Sequence, residues 1–208
     1  IDEHHIKTIY QLGDVFDNRK HCNLKALKAS KEIFFDPLRD RKVLMYVLVG
    51  NHDSHHRNTL EINSPELILG EYENIQVIDQ PCVFSEQDTT IDMIPWICQD
   101  NEENILNFIG SSKSDLCFGH FEMKHFEMYR GMVAQEGLDP NIFAKYELVC
   151  SGHFHTKSRK DNILYTGTPY ELTWQDYNDP KGFWIFDTVS RHIEFVPNSN
   201  TTFTRIEY

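Results

Sequence analysis

Residues 42–53 read KVLMYVLVGNHD. The first nine form a near-continuous apolar run, typical of a strand covered on both faces. Gly50 breaks the run, and Asn51, His52 and Asp53 follow directly. A buried strand with this ending presents polar, metal-competent side chains at the carboxyl edge of a sheet. Ligands commonly bind there in open α/β sheets. The glycine lets the backbone turn sharply and approach a bound group.

Three other stretches share this design. "KTIYQL" (7–12), rich in β-branched and aromatic residues, runs into Gly13-Asp14-Val15-Phe16-Asp17. "DLCFGH" (115–120) ends in Gly119-His120, and "ELVCSGHFH" (147–155) ends in Gly152-His153-Phe154-His155. One such strand end carries little weight. Four in one chain, bringing together Asp, Asn and His, point to metal. These donors, without Cys, suit manganese, iron or zinc better than calcium. A carboxylate can bridge two ions, and Asp14 is the candidate. Two ions about 4 Å apart clamp the attacking and leaving oxygens of a phosphoryl displacement and lower the pKa of water toward neutrality. His52 follows a ligand position and should point differently from Asn51. It is suited to protonating a leaving oxygen or stabilising phosphate charge.

Between these strands the pattern alternates. Residues 20–35 carry apolar residues at helical spacing, with Pro37 as the stop. Ser64-Pro65 opens a helix, with Ser64 as N-cap and proline at the first helical position. Strands are predicted near 75–79, 82–85 and 90–94, and a helix over 102–112. "NILYTGTPY", "KGFWIFD" and "HIEFVP" read mostly as strand. The pattern predicts an α/β fold, layered or a two-sheet sandwich, in one domain over 1–208.

At 208 residues, 40% of them hydrophobic, the chain is long enough to bury a sizeable core. No apolar run approaches the roughly 18 residues of a membrane span. Its five cysteines are scattered and never form C-x-x-C, which suits a reduced cytosolic interior and disfavours a disulfide scaffold or zinc knuckle. The net charge of −12 argues against a broad basic surface for nucleic acid. It still permits a nucleic-acid enzyme whose metals and local Lys and Arg supply the positive field.

"GDVFD", "GNHD", "GH" and "GHFH", in this order, resemble the calcineurin-like metallophosphoesterase superfamily. "IDMIPW", "SGHFHT", "YTGTPYELTWQDYNDPKGFWIFD" and "FVPN" extend the resemblance to the SbcD-type DNA-repair nuclease subunits and, among them, the recombination endonuclease subunits of T-even phages. It runs from about residue 6 to residue 208. It implies an α-β-β-α sandwich and manganese-dependent hydrolysis of DNA phosphodiesters, as a 3′-to-5′ exonuclease and an endonuclease in recombination and double-strand break repair. Magnesium, iron or zinc are the alternative ions. Asp14 matches the bridging ligand. Asn51, His120 and His153 match ligands of one ion, His155 a ligand of the other, and His52 the catalytic histidine. The resemblance also implies DNA and an SbcC-like ATPase as partners, a homodimer through the nuclease domain, and the cytoplasm (of a bacterial host, for a phage protein) as the location.

The chain departs from that pattern at the first motif, a D-x-H at the end of the first strand. Asp2-Glu3-His4 has the letters, yet Asp2 precedes Asp14 by only 12 residues. A crossover between parallel strands needs at least ten to twelve residues by itself. Asp2 and His4 are therefore expected in the end of a crossover helix or its loop, at the wrong end of the "KTIYQL" strand. The nuclease core is expected to lack its first strand and helix here, and a C-terminal cap and ATPase-binding region. Weak binding of the second ion and impaired activity are expected to follow.

Several residues carry a plainer reading beside the functional one. Asp17 either caps a helix starting near Asn18 or orients a ligand or His52. Asp53 braces His52 or its loop. Lys157, Arg159 and Lys160, just after His155, either steer phosphate or form a solvated face. Trp96, Trp174 and Trp184 read as core rather than base-stacking residues. Two rival functions remain: a phosphatase or nucleotidase of the same superfamily, and a non-catalytic subunit that scaffolds the ATPase.

Overall fold

The computed structural model describes residues 1–206, so Glu207 and Tyr208, the end of the expected core, lie outside the described residues. The chain is mixed α/β. The first sheet holds β1 (Thr8–Gln11), β2 (Leu44–Leu48) and β3 (Ile75–Ile78), all parallel with β2 in the centre. The second sheet is built from β4 (Cys82–Glu86), β5 (Thr89–Ile94), β6 (Leu116–Gly119), β9 (Leu148–Ser151), β10 (Ser158–Lys160) and β11 (Ile163–Tyr165). Its order is β10-β11-β9-β6-β5-β4, with parallel pairing inside and antiparallel pairing at both edges. Two hairpins complete the β structure: β7 (Glu127–Tyr129) with β8 (Met132–Val133), and β12 (Gly182–Phe186) with β13 (Ile193–Pro197).

Alternation along each strand sorts the core. Tyr46 and Leu48 join a cluster with Met93, Phe118, Cys150 and Leu164 of the second sheet. Met45 and Val47 pack instead with Phe35, Leu38, Leu69 and Tyr72. The alternate residues of the second sheet, Cys117, Val149 and Tyr165, pack with Ile105 and Ile109 of a helix. Each fully buried side chain of this kind contributes roughly 1.5–3 kcal/mol of transfer free energy. The middle of KVLMYVLVG, Leu44–Leu48, is thus a strand covered on both faces, as its apolar run predicts; Lys42 and Leu44, at the start of the stretch, are exposed.

The helices differ from expectation in two places. The first, α1 (Leu24–Ser30), starts later than residue 20 because Asn23 caps it, accepting the amides of Lys25 and Ala26. Pro37 does not stop it. A widened turn over Lys31–Phe35 lets the Asp36 amide bond to the Lys31 carbonyl. Pro37 then falls in the first turn of α2 (Asp36–Asp40), where a missing N–H costs little. The next helix, α3 (Ser64–Leu69), is capped by Asn63 rather than Ser64. Buried Asn63 accepts from the Glu66 amide, while the Ser64 hydroxyl donates to the Asp53 carbonyl. The fourth, α4 (Glu102–Ser111), covers the second sheet.

Residues 2–5 form a turn, and Asp2 lies 3.4 Å from Arg41, just before β2. That is the amino end of the first sheet, away from Asp14. Among the described residues, no helix is long and apolar enough to cross a membrane.

Candidate metal centre

The loops after β1 and β2 are locked together by one carboxylate. Asp53 is fully buried, and its Oδ2 accepts the amides of Asp14 at 2.7 Å and Gly50 at 2.9 Å. Its Oδ1 accepts the Phe16 amide at 3.0 Å. Burial pushes this carboxyl up to about 6, against the pull of those amides. Asp53 therefore braces the loops and does not touch the His52 ring. Gly13 has φ +94°, and a Cβ there would run into the His120 ring. Asp14 and His153 also sit at positive φ, 57° and 78°. Non-glycine residues held there store backbone strain, which tends to gather at functional sites.

Four side chains from both sheets converge. Asp14 follows β1, Asn51 follows β2, His120 follows β6 and His153 follows β9. The His120 Nδ1 lies 2.6 Å from the Leu12 carbonyl. A carbonyl only accepts, so Nδ1 carries the hydrogen. Nε2 then faces Asp14 Oδ2 at 3.2 Å and Asn51 Oδ1 at 3.0 Å. Asn51 Oδ1 also lies 3.0 Å from His153 Nδ1. Ligand atoms of Asp14, His120 and His153 all lie within 4.8 Å of one another. Oxygen and nitrogen lone pairs gathered this closely need a positive charge among them. A proton on His120 Nε2 supplies one.

The titration behaviour fits. Burial alone would raise Asp14, but the charge and hydrogen bond of His120, with the His52 amide, hold it down at about 2. For His120, burial disfavours the charged form, yet Asp14 raises it overall. Burial pushes His153 down to about 3, which leaves it neutral with a free lone pair. A carboxylate, an amide oxygen and two imidazoles match the donor set of a manganese, iron or zinc site.

His52 is exposed at the edge of this cluster. Its amide donates to Asp14 Oδ1 at 2.7 Å, and its Nδ1 lies 3.0 Å from the Asp17 carbonyl. Nδ1 must be the protonated nitrogen of the neutral ring. Asp17 thus orients His52, through its backbone rather than its carboxylate. It caps no helix near Asn18, because α1 begins at Leu24. Trp96, read from sequence as core, packs against the site: its ring centroid is 5.0 Å from that of His153 and 5.8 Å from that of His120. Trp184 packs against the core, while Trp174 is exposed beside Phe203.

His155 is not drawn into the group of Asp14, His120 and His153. Its Nδ1 is buried without a hydrogen-bond partner, 3.6 Å from Asp176 Oδ2. Asp176 is buried and bonded to Lys181, also buried, at 2.9 Å. Burial opposes its ionisation, but Lys181 and the Thr173 amide lower its pKa overall. Neither Asp176 nor Lys181 could be singled out from sequence. The only hint was their place in a polar loop, "ELTWQDYNDPKG". Lys157 stacks its ammonium 4.8 Å from the Phe195 ring, while Arg159 and Lys160 are exposed on edge strand β10.

The chain is 41% identical over 203 residues to exonuclease subunit 1 of Enterobacteria phage T4, covering 98% of this chain and 59% of that protein. A shorter stretch of 42 residues is 40% identical to the DNA double-strand break repair protein Mre11 of Nanoarchaeum equitans (strain Kin4-M), covering 20% of this chain and 12% of that protein. The chain thus spans less than two thirds of the length of each relative. No family model matches it.

Proposed function

We propose that this chain is the nuclease core of an SbcD-type metallophosphoesterase, an α-β-β-α sandwich that hydrolyses DNA phosphodiesters with two divalent ions, preferably manganese. The observation that carries this reading is the convergence of Asp14, Asn51, His120 and His153 at strand ends from two sheets. The names of the relatives, an exonuclease subunit and a break-repair protein, support DNA as the substrate. In this reading Asp14, Asn51, His120 and His153 hold one ion, and Asp14 with His155 hold the other. Such ions, when bound, polarise the phosphate and make water nucleophilic at neutral pH.

The chain's own residues do the rest. Asp53 and Gly13 fix Asp14 and His120 before substrate arrives, so little reorganisation is left for the reaction. The Asp17 carbonyl holds the His52 Nδ1–H and so orients Nε2; the ring that has taken up a second proton at Nε2 would give that proton to the leaving oxygen and return to the neutral form. Arg159 and Lys160, exposed on β10, and Lys157 are the proposed contacts to the DNA backbone. The whole protein is proposed to act as an exonuclease and endonuclease with an SbcC-like ATPase, as a homodimer, in recombination and repair in the cytoplasm of a bacterial host.

The test offers the chain manganese with labelled duplex DNA, single-stranded DNA and p-nitrophenyl phosphate. The expected result is weak DNA cleavage that a chelator removes and that His52→Ala lowers by about 10²–10⁴-fold. Hydrolysis of the small ester with DNA left intact would overturn the reading in favour of a phosphatase or nucleotidase. Manganese binding with no hydrolysis of any substrate would favour a scaffold.

A further inference from the structure

We propose that Asp176 is the positioning residue of His155: it accepts the Nδ1–H of the ring and so keeps Nε2 bare for a metal ion. Only the final clause rests on the two-ion reading above.

His155 Nδ1 is buried and has no hydrogen-bond partner, while the side chain as a whole is one quarter exposed. A buried ring nitrogen left without a partner is unfavourable, because it has given up its bond to water and gained none in the fold. The Asp176 carboxylate lies 3.6 Å away, and a shift of roughly half an ångström would close the bond. Catalytic hydrogen bonds are often this long before a ligand binds, and tighten afterwards.

Asp176 is held as a fixed acceptor. Its Oδ2 takes the amides of Leu172 at 3.1 Å and Thr173 at 2.9 Å, and the Thr173 hydroxyl at 3.2 Å. Its Oδ1 takes the Lys181 ammonium at 2.9 Å. The same ammonium donates to the His155 carbonyl at 2.7 Å and to Asp179 at 2.8 Å. Lys181 therefore ties the carboxylate to the backbone of the histidine it faces. Across the ring, Tyr129 packs edge-on at 5.4 Å.

Chemistry explains why this arrangement is useful. Burying a Lys and an Asp is unfavourable before their attraction is counted, and apolar residues often fill such a place as well. An ionised carboxylate, however, can only accept. Facing Nδ1, it selects the tautomer with the hydrogen there. That tautomer is the one whose Nε2 can ligate, and a carboxylate behind a ligating histidine also raises its basicity. The turn over 171–181 thereby becomes a brace for one imidazole.

The test reads the tautomer directly, in protein with ¹⁵N-labelled histidine and no metal, at alkaline pH. Long-range ¹H–¹⁵N correlation should show His155 protonated at Nδ1, and Asp176→Ala should shift it toward the Nε2–H form. Asp176→Glu should restore the original pattern in part. The Nε2–H form in the parent chain, or a tautomer indifferent to Asp176→Ala, overturns the proposal. If Asp176→Ala does not fold, the parent spectrum alone decides. Manganese titration by calorimetry adds the second arm: Asp176→Ala should weaken one ion by about 10–100-fold and spare the other. Should the tautomer respond as expected while manganese does not bind at all, the two-ion reading fails and the positioning role stands.

Discussion

His120 reaches from the second sheet to the first: its Nδ1 lies 2.6 Å from the carbonyl of Leu12. That bond commits Nδ1 as donor and turns Nε2 onto Asp14, 3.2 Å away. Without metal, the two form an ion pair whose contribution depends on pH. Asp14 titrates at about 2 in the fold, below its ordinary 3.8. Its contribution is therefore present above 3.8 and lost as pH falls toward 2. His120 is raised above its ordinary 6.5. Its contribution is present below 6.5 and lost as pH rises through the raised value. The stability difference between the parent and Asp14→Asn should peak between 3.8 and 6.5, at about 2 kcal/mol, and shrink on both sides. Urea unfolding in chelator at a series of pH values measures it. A difference independent of pH would show that the pair does not form.

Ligation and proton transfer separate at His52 and His153. His52 engages Asp14 through its backbone amide, which survives replacement of the side chain. His52→Ala should keep the manganese-induced rise in Tm while losing hydrolysis by about 10²–10⁴-fold. His153→Ala should lose the rise itself, because the ring facing Asn51 is gone. Thermal scans of both variants with and without manganese give the comparison. Equal behaviour of the two would mean that His52 has been assigned the wrong task.

Much of this site was legible in the sequence, for a physical reason. Asn51, His120 and His153 each follow a buried apolar strand and Asp14 a half-buried one, and parallel pairing places the ends of such strands side by side. Local pattern therefore implied long-range convergence. Trp96 and Asp176 were not legible. Trp96 meets His153 through packing between separate loops. Asp176 meets His155 because Lys181 folds a polar turn back on itself. The passage of α1 into α2 through Pro37 was hidden for a related reason: the widened turn has no marker in composition.

Gly13 should not tolerate a side chain. Its φ of +94° disfavours any L-residue, and a Cβ would meet the His120 ring. Gly13→Ala should cost about 1–3 kcal/mol from backbone conformation, with a further loss from displacing the ring. The displaced ring would leave both Leu12 and Asp14, so manganese affinity should fall together with stability. Denaturant unfolding and manganese titration of the variant measure the two losses. A variant that keeps its manganese affinity would show that the ring is not held where Gly13 permits.

The thiols offer a check on the layers that is independent of metal. Cys22 is exposed, while Cys98, Cys117 and Cys150 are buried and Cys82 is partly buried. Burial pushes Cys82 up to about 11 and Cys150 up to about 12, and raises Cys98 and Cys117 as well. Thiolate is the reactive form, so these four should react slowly. Cys117 and Cys150 occupy opposite faces of the second sheet, one against α4 and one toward the first sheet. Both can react only if those layers separate. Native protein with a chromogenic disulfide should show one fast thiol, Cys22, and all five should react in urea. Fast labelling of Cys150 in native protein would mean that the two sheets do not stay packed as described.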